Sequence, residues 1–212
     1  MMMYIVRHGE TDWNRMRRVQ GHTDIALNDY GRLLARETAE GMKGIHLDLC
    51  YTSPLSRARE TAQIILGDRQ IPVYDDPRIE EISFGRYEGL KIGGEDPQSR
   101  LFGRFFSDTG NYEAPDDAET VEELYGRTGA FLREMQTRPD LRDKNILVST
   151  HGAAMTALLN RIRGNLSVAD FWKDEVPPNC SVTIVRIENG KTEILEEGVI
   201  FYKEQVKKWK TV

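Results

Sequence analysis

Two apolar runs in the sequence end in the same pair of residues, a histidine followed by a glycine. They read YIVRHG at residues 4–9 and NILVSTHG at residues 145–152. A short, continuous apolar run bounded in this way is typical of a strand that is buried on both faces of a sheet. We therefore expect His8 and His151 to stand at the carboxyl ends of two buried strands.

The other segments alternate between strand-like and helix-like patterns. Residues 181–197 alternate in polarity and turn through Asn189-Gly190, a strong signal for a β-hairpin. Strands that alternate with helices form a mainly parallel sheet with helices on both faces. We predict an α/β fold, a three-layer sandwich that the hairpin closes at one edge. The predicted strands are residues 3–6, 47–53, 71–76 and 145–150, and the predicted helices are residues 30–42, 54–66, 118–136 and 151–162.

One stretch interrupts this alternation. Residues 93–117 are rich in glycine, aspartate and proline and contain the aromatic sequence LFGRFF at residues 101–106. We predict a single domain over residues 1–212, with this stretch inserted as an irregular lid. Its phenylalanines either line the lid or belong to the core, which is the more usual role of aromatic residues at helical spacing.

The composition excludes several classes of protein. Hydrophobic residues make up 39% of the chain, and no apolar run approaches the ~18 residues that a membrane span requires. Arg7 and His8 interrupt the first apolar run, so we expect no secretion signal and a cytoplasmic location. The net charge of −5 argues against nucleic acid as a partner. Cys50 and Cys180 fit no metal or disulfide spacing, as expected for a reduced protein.

The predicted edge of the sheet gathers cations beside the two histidines. Arg7 adjoins His8, and Arg57 falls in the first turn of the helix after the second strand. Ligands of such sheets bind beyond the carboxyl ends of the strands, and arginine forks match phosphoryl oxygens. Nearby cations also keep an imidazole neutral, so that it can attack phosphorus. We expect His8 to be the nucleophile and His151 to donate a hydrogen bond to the phosphoryl oxygens.

This chemistry also needs an acid that protonates the leaving oxygen. The segment at residues 78–90, RIEEISFGRYEGL, offers Glu80, Glu81 and Glu88. Spacing alone does not choose between the three carboxylates.

Several other polar residues are expected to have no direct part in the chemistry. His22 and His46 lack the spacing of metal ligands, so no metal site is predicted. Glu10 is expected to be structural, because its carboxylate would repel a phosphate. Gly9 is expected to let the backbone turn close to that phosphate.

The motifs together resemble those of the histidine phosphatase superfamily, which includes cofactor-dependent phosphoglycerate mutases and their phosphatase relatives. Between residue 4 and about residue 155, the family's motifs occur in order as RHGETDWN, QGHTDIALNDYGR, SPLSRARETA, EEISFG and VSTHG. The combination is highly specific, although no single motif is. The resemblance implies the phosphoglycerate mutase-like α/β fold, in agreement with the predicted order of elements.

The resemblance also implies roles for individual residues. It implies that His8 is phosphorylated and that Arg7, Arg57 and His151 form the phosphate pocket. It selects Glu81 as the acid, because the family's acid stands three residues before the aromatic-glycine pair of EEISFG. The further substrate contacts that it implies are Asn14, Gln20, Gly21 and Gly152.

The superfamily contains mutases as well as phosphatases, and two segments favour a phosphatase. The adjacent Arg-Arg pair of the mutase insertion is missing, since the insertion here offers only Arg100 and Arg104. PDDAETVEELYGR at residues 115–127 resembles the phosphatase branch's Gly-Glu-Ser block, with Asp117-Ala118 in place of the glycines. We expect a phosphatase of the histidine acid phosphatase type, acting on a small phosphate monoester.

Two alternatives stay open. A mutase would require 2,3-bisphosphoglycerate, whereas a phosphatase needs no cofactor. A non-catalytic domain that binds a phosphorylated ligand is the second alternative, because a fold does not fix a function. The oligomeric state is also open, with a homodimer as one candidate, and the basic segment KEQVKKWK at residues 203–210 is expected to be solvated.

Overall fold

The computed structural model describes residues 1–172 and 176–203, and its centre is one six-stranded sheet. The strand order is β3-β2-β4-β1-β5-β6. The strands are β1 Met2–Arg7, β2 Leu49–Thr52, β3 Val73–Asp75, β4 Asn145–Thr150, β5 Val182–Glu188 and β6 Lys191–Val199. The basic segment at residues 203–210 lies, apart from Lys203, outside the described residues.

In the described part of the chain, six α-helices connect or flank these strands. They are α1 Asp12–Arg15, α2 Asp29–Gly41, α3 Ser56–Leu66, α4 Pro97–Ser107, α5 Val121–Thr137 and α6 Gly152–Ile162. Polar N-caps explain where several of them begin: Asn28 accepts from the Gly31 N–H before α2, and Thr120 forms a capping box with Glu123 at the start of α5. The predicted helices are therefore confirmed, with ends shifted by a few residues.

The predicted direction of the strands is confirmed. β1, β2, β3 and β4 are parallel neighbours, whereas β5 is antiparallel to β1 and forms a hairpin with β6. The hairpin turns at Asn189 and Gly190, whose φ angles are 51° and 74°. Such left-handed backbone is what the Asn-Gly pair predicts. The parallel register of β1 and β4 pairs Arg7 with Thr150, so both strands end at one edge.

Hydrophobic side chains cover both faces of the sheet. On one face, Ile5 and Val148 pack in a buried cluster with Phe131 of α5 and Leu158 of α6. On the other face, a second cluster joins β1 and β4 to α3, which contributes Ile65. The fold is therefore the predicted sandwich of helices, sheet and helices, and its buried strands hold their carboxyl ends in place.

The inserted segment differs from the prediction. The expectation of an irregular lid at residues 93–117 was wrong for Pro97–Ser107, which form helix α4. The Asp96 side chain caps this helix, and proline occupies its first position, where its missing N–H is not needed. Phe102 and Phe105 are buried against Phe84, in a hydrophobic cluster that also includes residues of α5 and α6.

Two further predictions concern the chain as a whole. Within the described ranges, no helix combines the length and the apolar character needed to span a bilayer. Cys50 and Cys180 are both free and buried. Burial raises the pKa of each thiol to about 12, so both behave as small core residues rather than as nucleophiles.

Candidate active site

The parallel ends of β1 and β4 bring the two histidines together. The backbone N–H of His8 donates to the carbonyl of Thr150 at 2.9 Å, and the ring centroids of His8 and His151 lie 5.1 Å apart. His8 is 2% exposed and His151 is fully buried. The sequence placed both at strand ends, and the sheet register makes them neighbours.

The His8 ring is oriented by its own backbone neighbour. Its Nδ1 lies 2.7 Å from the carbonyl oxygen of Gly9. Because a carbonyl only accepts, Nδ1 carries the proton, and the lone pair of the neutral ring is on Nε2. Burial, followed by the charges of Arg57 and Arg7, holds the pKa of His8 well below its usual value. His8 therefore presents the form of imidazole that can act as a nucleophile.

Arg57 is a fully buried cation in the first turn of α3. Its Nη1 donates to the carbonyl of Thr23 at 2.9 Å, and its Nη2 donates to the carbonyl of Gly21 at 2.6 Å. Burial lowers its pKa to about 10, which leaves the guanidinium charged at neutral pH. Each terminal nitrogen keeps one further N–H, and the residue borders a cavity. Arg57 can therefore donate to an anion there.

His151 connects Arg57 to a serine that follows β2. Arg57 Nε donates to His151 Nδ1 at 3.2 Å, and His151 Nε2 lies 2.7 Å from Ser53 Oγ. Since arginine cannot accept, the proton of the neutral His151 ring is on Nε2 and is donated to Ser53. Burial and the Arg57 charge lower the pKa of His151 well below its usual value. The ring stays neutral.

His151 was expected to donate directly to phosphoryl oxygens. It is completely buried, it is not among the described residues that border the cavity, and its N–H is donated to Ser53. Its contact with Arg57 orients that guanidinium. Donation from His151 to a phosphoryl group stays a prediction.

Arg7 borders the same cavity from the end of β1. Its Nη1 donates to the carbonyl of Pro177, which fixes the guanidinium. Its Nε is buried and has no hydrogen-bond partner among the residues that the structure describes. A buried N–H without a partner is costly, so this donor is suited to a ligand oxygen.

Of the three candidate acids, only Glu81 borders the cavity. Its carboxylate accepts from the N–H groups of Ala153 and Ala154 at distances of 3.1 to 3.2 Å, at the start of α6. The Glu88 carboxylate instead accepts from backbone N–H groups of the loop after α1 and of Phe84, so its role is structural. The structure thus separates candidates that spacing left open.

An arginine that the sequence interpretation did not consider holds the Glu81 loop. Arg127 of α5 donates to the carbonyls of Glu80 and Glu81 at 2.7 and 2.9 Å, and it forms an ion pair with Glu119 at 2.6 Å. No short sequence motif predicts this contact. To predict it, one would have to know that α5 packs beside the loop.

Two amides border the cavity with their donors available. The Asn14 Oδ1 accepts from the backbone N–H of Thr11 at 3.1 Å, and the Gln20 Oε1 accepts from the Thr11 hydroxyl at 2.8 Å. Because both oxygens are engaged, the NH₂ groups are the ends left for a ligand. Both residues were implied as substrate contacts, and the structure places both on the cavity wall.

Three glycines contribute through space and backbone shape. Gly21 has a φ of 55°, and its carbonyl orients Arg57. A Cβ on Gly152 would lie 3.6 Å from Arg7 Nε and 3.7 Å from the Glu81 carboxylate, so the missing side chain keeps the space between them open. A Cβ built on Gly9 would lie 2.6 Å from the carbonyl oxygen of Gly31, so the missing side chain lets the end of β1 pack against α2. The expected approach of the Gly9 backbone to a phosphate stays a prediction.

The other residues considered in the sequence lie away from the chemistry. Glu10 accepts from the Asn28 amide at 2.9 Å, as expected for a structural residue. The His22 ring lies 2.8 Å from the carbonyl of Glu81 and therefore supports the acid's loop. Within residues 1–172 and 176–203, no group of three or more metal-ligating side chains occurs.

The cavity itself has a volume of about 310 Å³. The reaction centre forms one part of its wall. Much of the remaining wall is apolar and comes from α4 and from Trp172. Further bordering residues are Arg17, Arg18, Val19, Ile92, Gly93, Gly94, Ser99, Arg100, Phe102, Phe105 and Phe106.

With this geometry established, the family can be assigned. A model of the histidine phosphatase superfamily (branch 1) matches residues 3–199. The chain belongs to this superfamily. It is 38% identical over 161 residues to the uncharacterized phosphatase PhoE of Bacillus subtilis, an alignment that covers 76% of each protein. It is 32% identical over 191 residues to the probable phosphoglycerate mutase GpmB of Proteus mirabilis, which covers 90% of this chain and 86% of GpmB.

A solved structure has the same fold. YhfR of Bacillus stearothermophilus superposes with a TM-score of 0.85 at 30% sequence identity, covering 93% of this chain and 96% of YhfR. The predicted family and the predicted phosphoglycerate mutase-like fold are therefore confirmed. Relatives of this histidine phosphatase superfamily member include both phosphatases and mutase-like proteins.

Proposed function

We propose that this member of the superfamily is a phosphomonoesterase that transfers the phosphoryl group to His8 and then to water. The observation that carries the proposal is the state of His8. Its neutral ring is held by the Gly9 carbonyl, with Nε2 unprotonated, at a cavity bordered by Arg7 and Arg57. Two buried cations beside an unprotonated ring nitrogen suit the transfer of a phosphoryl group.

In the first half of the reaction, Nε2 of His8 attacks phosphorus in line with the leaving oxygen. The N–P bond forms as the P–O bond to the alcohol breaks. A protonated Glu81 gives its proton to the leaving oxygen, so the alcohol departs neutral. The donors for the phosphoryl oxygens are Arg7 Nε, the remaining N–H groups of Arg57 and the amides of Asn14 and Gln20.

In the second half, a water molecule attacks the phosphohistidine. The Glu81 carboxylate takes a proton from this water, the N–P bond breaks, and inorganic phosphate leaves. Glu81 is then protonated again and His8 is neutral. The N–H groups of Ala153 and Ala154 hold the carboxylate in position through both halves.

One observation favours the mutase alternative. Besides Arg7 and Arg57, the cavity is bordered by Arg17, Arg18 and Arg100, and a mutase needs further cations for the second anion of its substrate. If transfer returns to the organic product, 2,3-bisphosphoglycerate is the priming cofactor. The phosphatase needs none.

Further details follow from the proposal. The volume of about 310 Å³ suits a small phosphorylated metabolite. The finer assignment to the histidine acid phosphatase type is supported by the lowered pKa of His8, which keeps the nucleophile unprotonated in mildly acidic solution. A cytoplasmic location and a homodimeric assembly stay predictions.

Hydrolysis of p-nitrophenyl phosphate by the His8→Ala protein tests the function. We expect a loss of at least about 10³-fold in kcat/KM, because the covalent route is removed. His46→Ala, at a side chain that is 79% exposed, is the control and should keep normal activity. Near-normal activity of His8→Ala would contradict the proposal, and inactivity of the wild-type protein on every monoester would favour the non-catalytic alternative.

A further inference from the structure

The segment at residues 177–181, directly before β5, contacts the end of β1 that carries the reaction centre. The N–H of Cys180 donates to the carbonyl of Arg7 at 3.0 Å, and the N–H of Arg7 donates to the carbonyl of Ser181 at 3.2 Å. The carbonyl of Pro177 also accepts from the Arg7 guanidinium. The segment at residues 177–181 therefore fixes both the backbone and the side chain of Arg7.

The side chain of Asn179 extends this support to two further residues of the site. Asn179 is 2% exposed. Its Nδ2 donates to the backbone carbonyl of His8 at 2.8 Å and, more weakly, to Oδ1 of Asn14 at 3.5 Å. Since Oδ1 of Asn14 is engaged by this contact and by the N–H of Thr11, the Asn14 NH₂ group is the end left for a ligand. One buried amide thus links the backbone of the nucleophile to a side chain that borders the cavity.

Tyr202, which follows β6, holds this segment in turn. Its hydroxyl donates to the backbone carbonyl of Asn179 at 2.9 Å, and the residue is 6% exposed. The tyrosine packs in a buried cluster with Leu34 and Ala35 of α2 and with Cys180. Tyr202 therefore ties the segment at residues 177–181 to α2.

The backbone conformation of Cys180 explains why the segment needs such support. Its φ is 56°, in the left-handed region that residues with a Cβ rarely adopt. Such a conformation persists only where the surrounding contacts over-determine it. Here the Thr38 hydroxyl donates to the carbonyl of Cys180 at 3.5 Å, and Tyr202 holds the preceding carbonyl. Loss of one of these contacts should let the segment relax and displace Arg7, which it binds.

We propose that Asn179 and Tyr202 are positioning residues for the phosphoryl transfer at His8. Neither is among the described residues that border the cavity, so both act through other residues. Asn179 fixes the nucleophile and Asn14, and Tyr202 keeps the segment in the conformation that orients Arg7. Small displacements of such groups slow the transfer, because the donors must meet the charge that develops on the phosphoryl oxygens. This inference rests on the proposed function, since it requires transfer through His8.

The fold offers a matched control for each residue. Asn160 of α6 is also 2% exposed, and its Nδ2 donates to the Tyr125 hydroxyl at 3.1 Å and to the carbonyl of Phe171 at 2.9 Å. Tyr125 is 4% exposed, close to the value for Tyr202. Neither Asn160 nor Tyr125 is among the described residues that border the cavity. Substitutions there should destabilise the protein without displacing the reaction centre.

Hydrolysis of p-nitrophenyl phosphate and inhibition by orthovanadate test the inference in the full chain, at a temperature where urea unfolding shows each variant to be folded. We expect Asn179→Ala to lower kcat by about tenfold or more, with a change in KM below about threefold. Tyr202→Phe, which removes one oxygen, should lower kcat by about threefold. Orthovanadate mimics the phosphoryl group during transfer, so its inhibition constant should rise in both variants by about the factor by which kcat falls.

The controls separate positioning from a general loss of stability. Asn160→Ala and Tyr125→Phe should keep kcat and the orthovanadate inhibition constant within about twofold of the wild type, although they lower the free energy of unfolding. Wild-type kcat in a folded Asn179→Ala or Tyr202→Phe protein, or equal losses in the controls, would overturn the inference. If Asn179→Ala does not fold, Tyr202→Phe decides alone. Failure of the wild type to hydrolyse any monoester would instead overturn the proposed function.

Discussion

Arg57 Nε donates to His151 Nδ1 across 3.2 Å, with both side chains completely buried. This one contact fixes the protonation of the second histidine, because an arginine can only donate. The proton of His151 is thereby directed to Ser53, 2.7 Å away. A chain of three buried groups, Ser53, His151 and Arg57, thus ends in the cation that borders the cavity.

Ser53→Ala should weaken this chain without removing any group that borders the cavity. The His151 Nε2–H would lose its acceptor, and a buried donor without a partner is unfavourable. We expect kcat to fall by about tenfold with a smaller change in KM, since Arg57 loses its orientation during transfer. Nitrogen NMR of the histidine side chains should show the Nε2–H tautomer of His151 in the wild type. Wild-type kcat in a protein with an altered His151 signal would contradict the predicted role of Ser53.

Arg57→Lys should be far more harmful than its conserved charge suggests. A lysine cannot donate simultaneously to Gly21, Thr23 and His151 in the geometry of the guanidinium. We expect kcat/KM to fall by about 10²- to 10³-fold and the free energy of unfolding to fall by about 2 kcal/mol. Kinetics and urea unfolding measure the two effects.

Arg59 provides the control for that substitution. It is two residues away on α3, and its ion pair with Asp75 is exposed. Exposed ion pairs contribute little to stability, so Arg59→Lys should leave kcat/KM and the free energy of unfolding close to the wild-type values. Equal effects of the two substitutions would argue against a special role of Arg57.

Folding stability should fall as the pH drops below about 6.5, the usual pKa of histidine. The pKa values of His8 and His151 are lowered in the folded protein, first by burial and then by Arg57. The unfolded chain therefore binds protons in this range that the folded protein does not. The contribution of the two histidines to the free energy of unfolding is complete above their pKa in the unfolded chain. It is lost as the pH falls toward their pKa in the folded protein.

Urea unfolding between about pH 7 and pH 5 measures this loss, at most about 1.4 kcal/mol per pH unit for each histidine. The pKa values of Asp48 and Asp140 in the folded protein are lowered from the usual 3.8 of aspartate. These carboxylates therefore change the stability at a lower pH than the two histidines do. His8→Asn should make the free energy of unfolding less dependent on pH in this range. A wild-type stability that is constant or rises toward pH 5 would be inconsistent with two buried neutral histidines.

The positions of the two histidines of the site could be predicted from the sequence, for a physical reason. His8 and His151 follow apolar runs whose burial is a local property, and parallel strands necessarily end at one edge. The helix at Pro97–Ser107 was missed because its glycine- and proline-rich surroundings resemble a loop, although Asp96 and Pro97 form a readable start signal.

Other features depend on contacts between segments that are distant in the sequence. Arg127 reaches the Glu81 loop from α5, and Ser53 meets His151 only because their strands are adjacent. The cavity lining has the same origin, because Arg17 and Arg100 are brought to one cavity by the fold. Neither spacing nor composition encodes such contacts. Only the packing of the elements shows them.

The proposed mechanism depends on a phosphohistidine intermediate at His8, and mass spectrometry detects that intermediate directly. The protein would be mixed with excess p-nitrophenyl phosphate, quenched in alkali within milliseconds to preserve phosphohistidine, and digested. We expect a burst of p-nitrophenol and a phosphoryl group on the peptide that contains His8, and we expect neither in the His8→Ala protein. Full turnover of the wild type with neither a burst nor a phosphorylated His8 peptide would contradict the proposed mechanism.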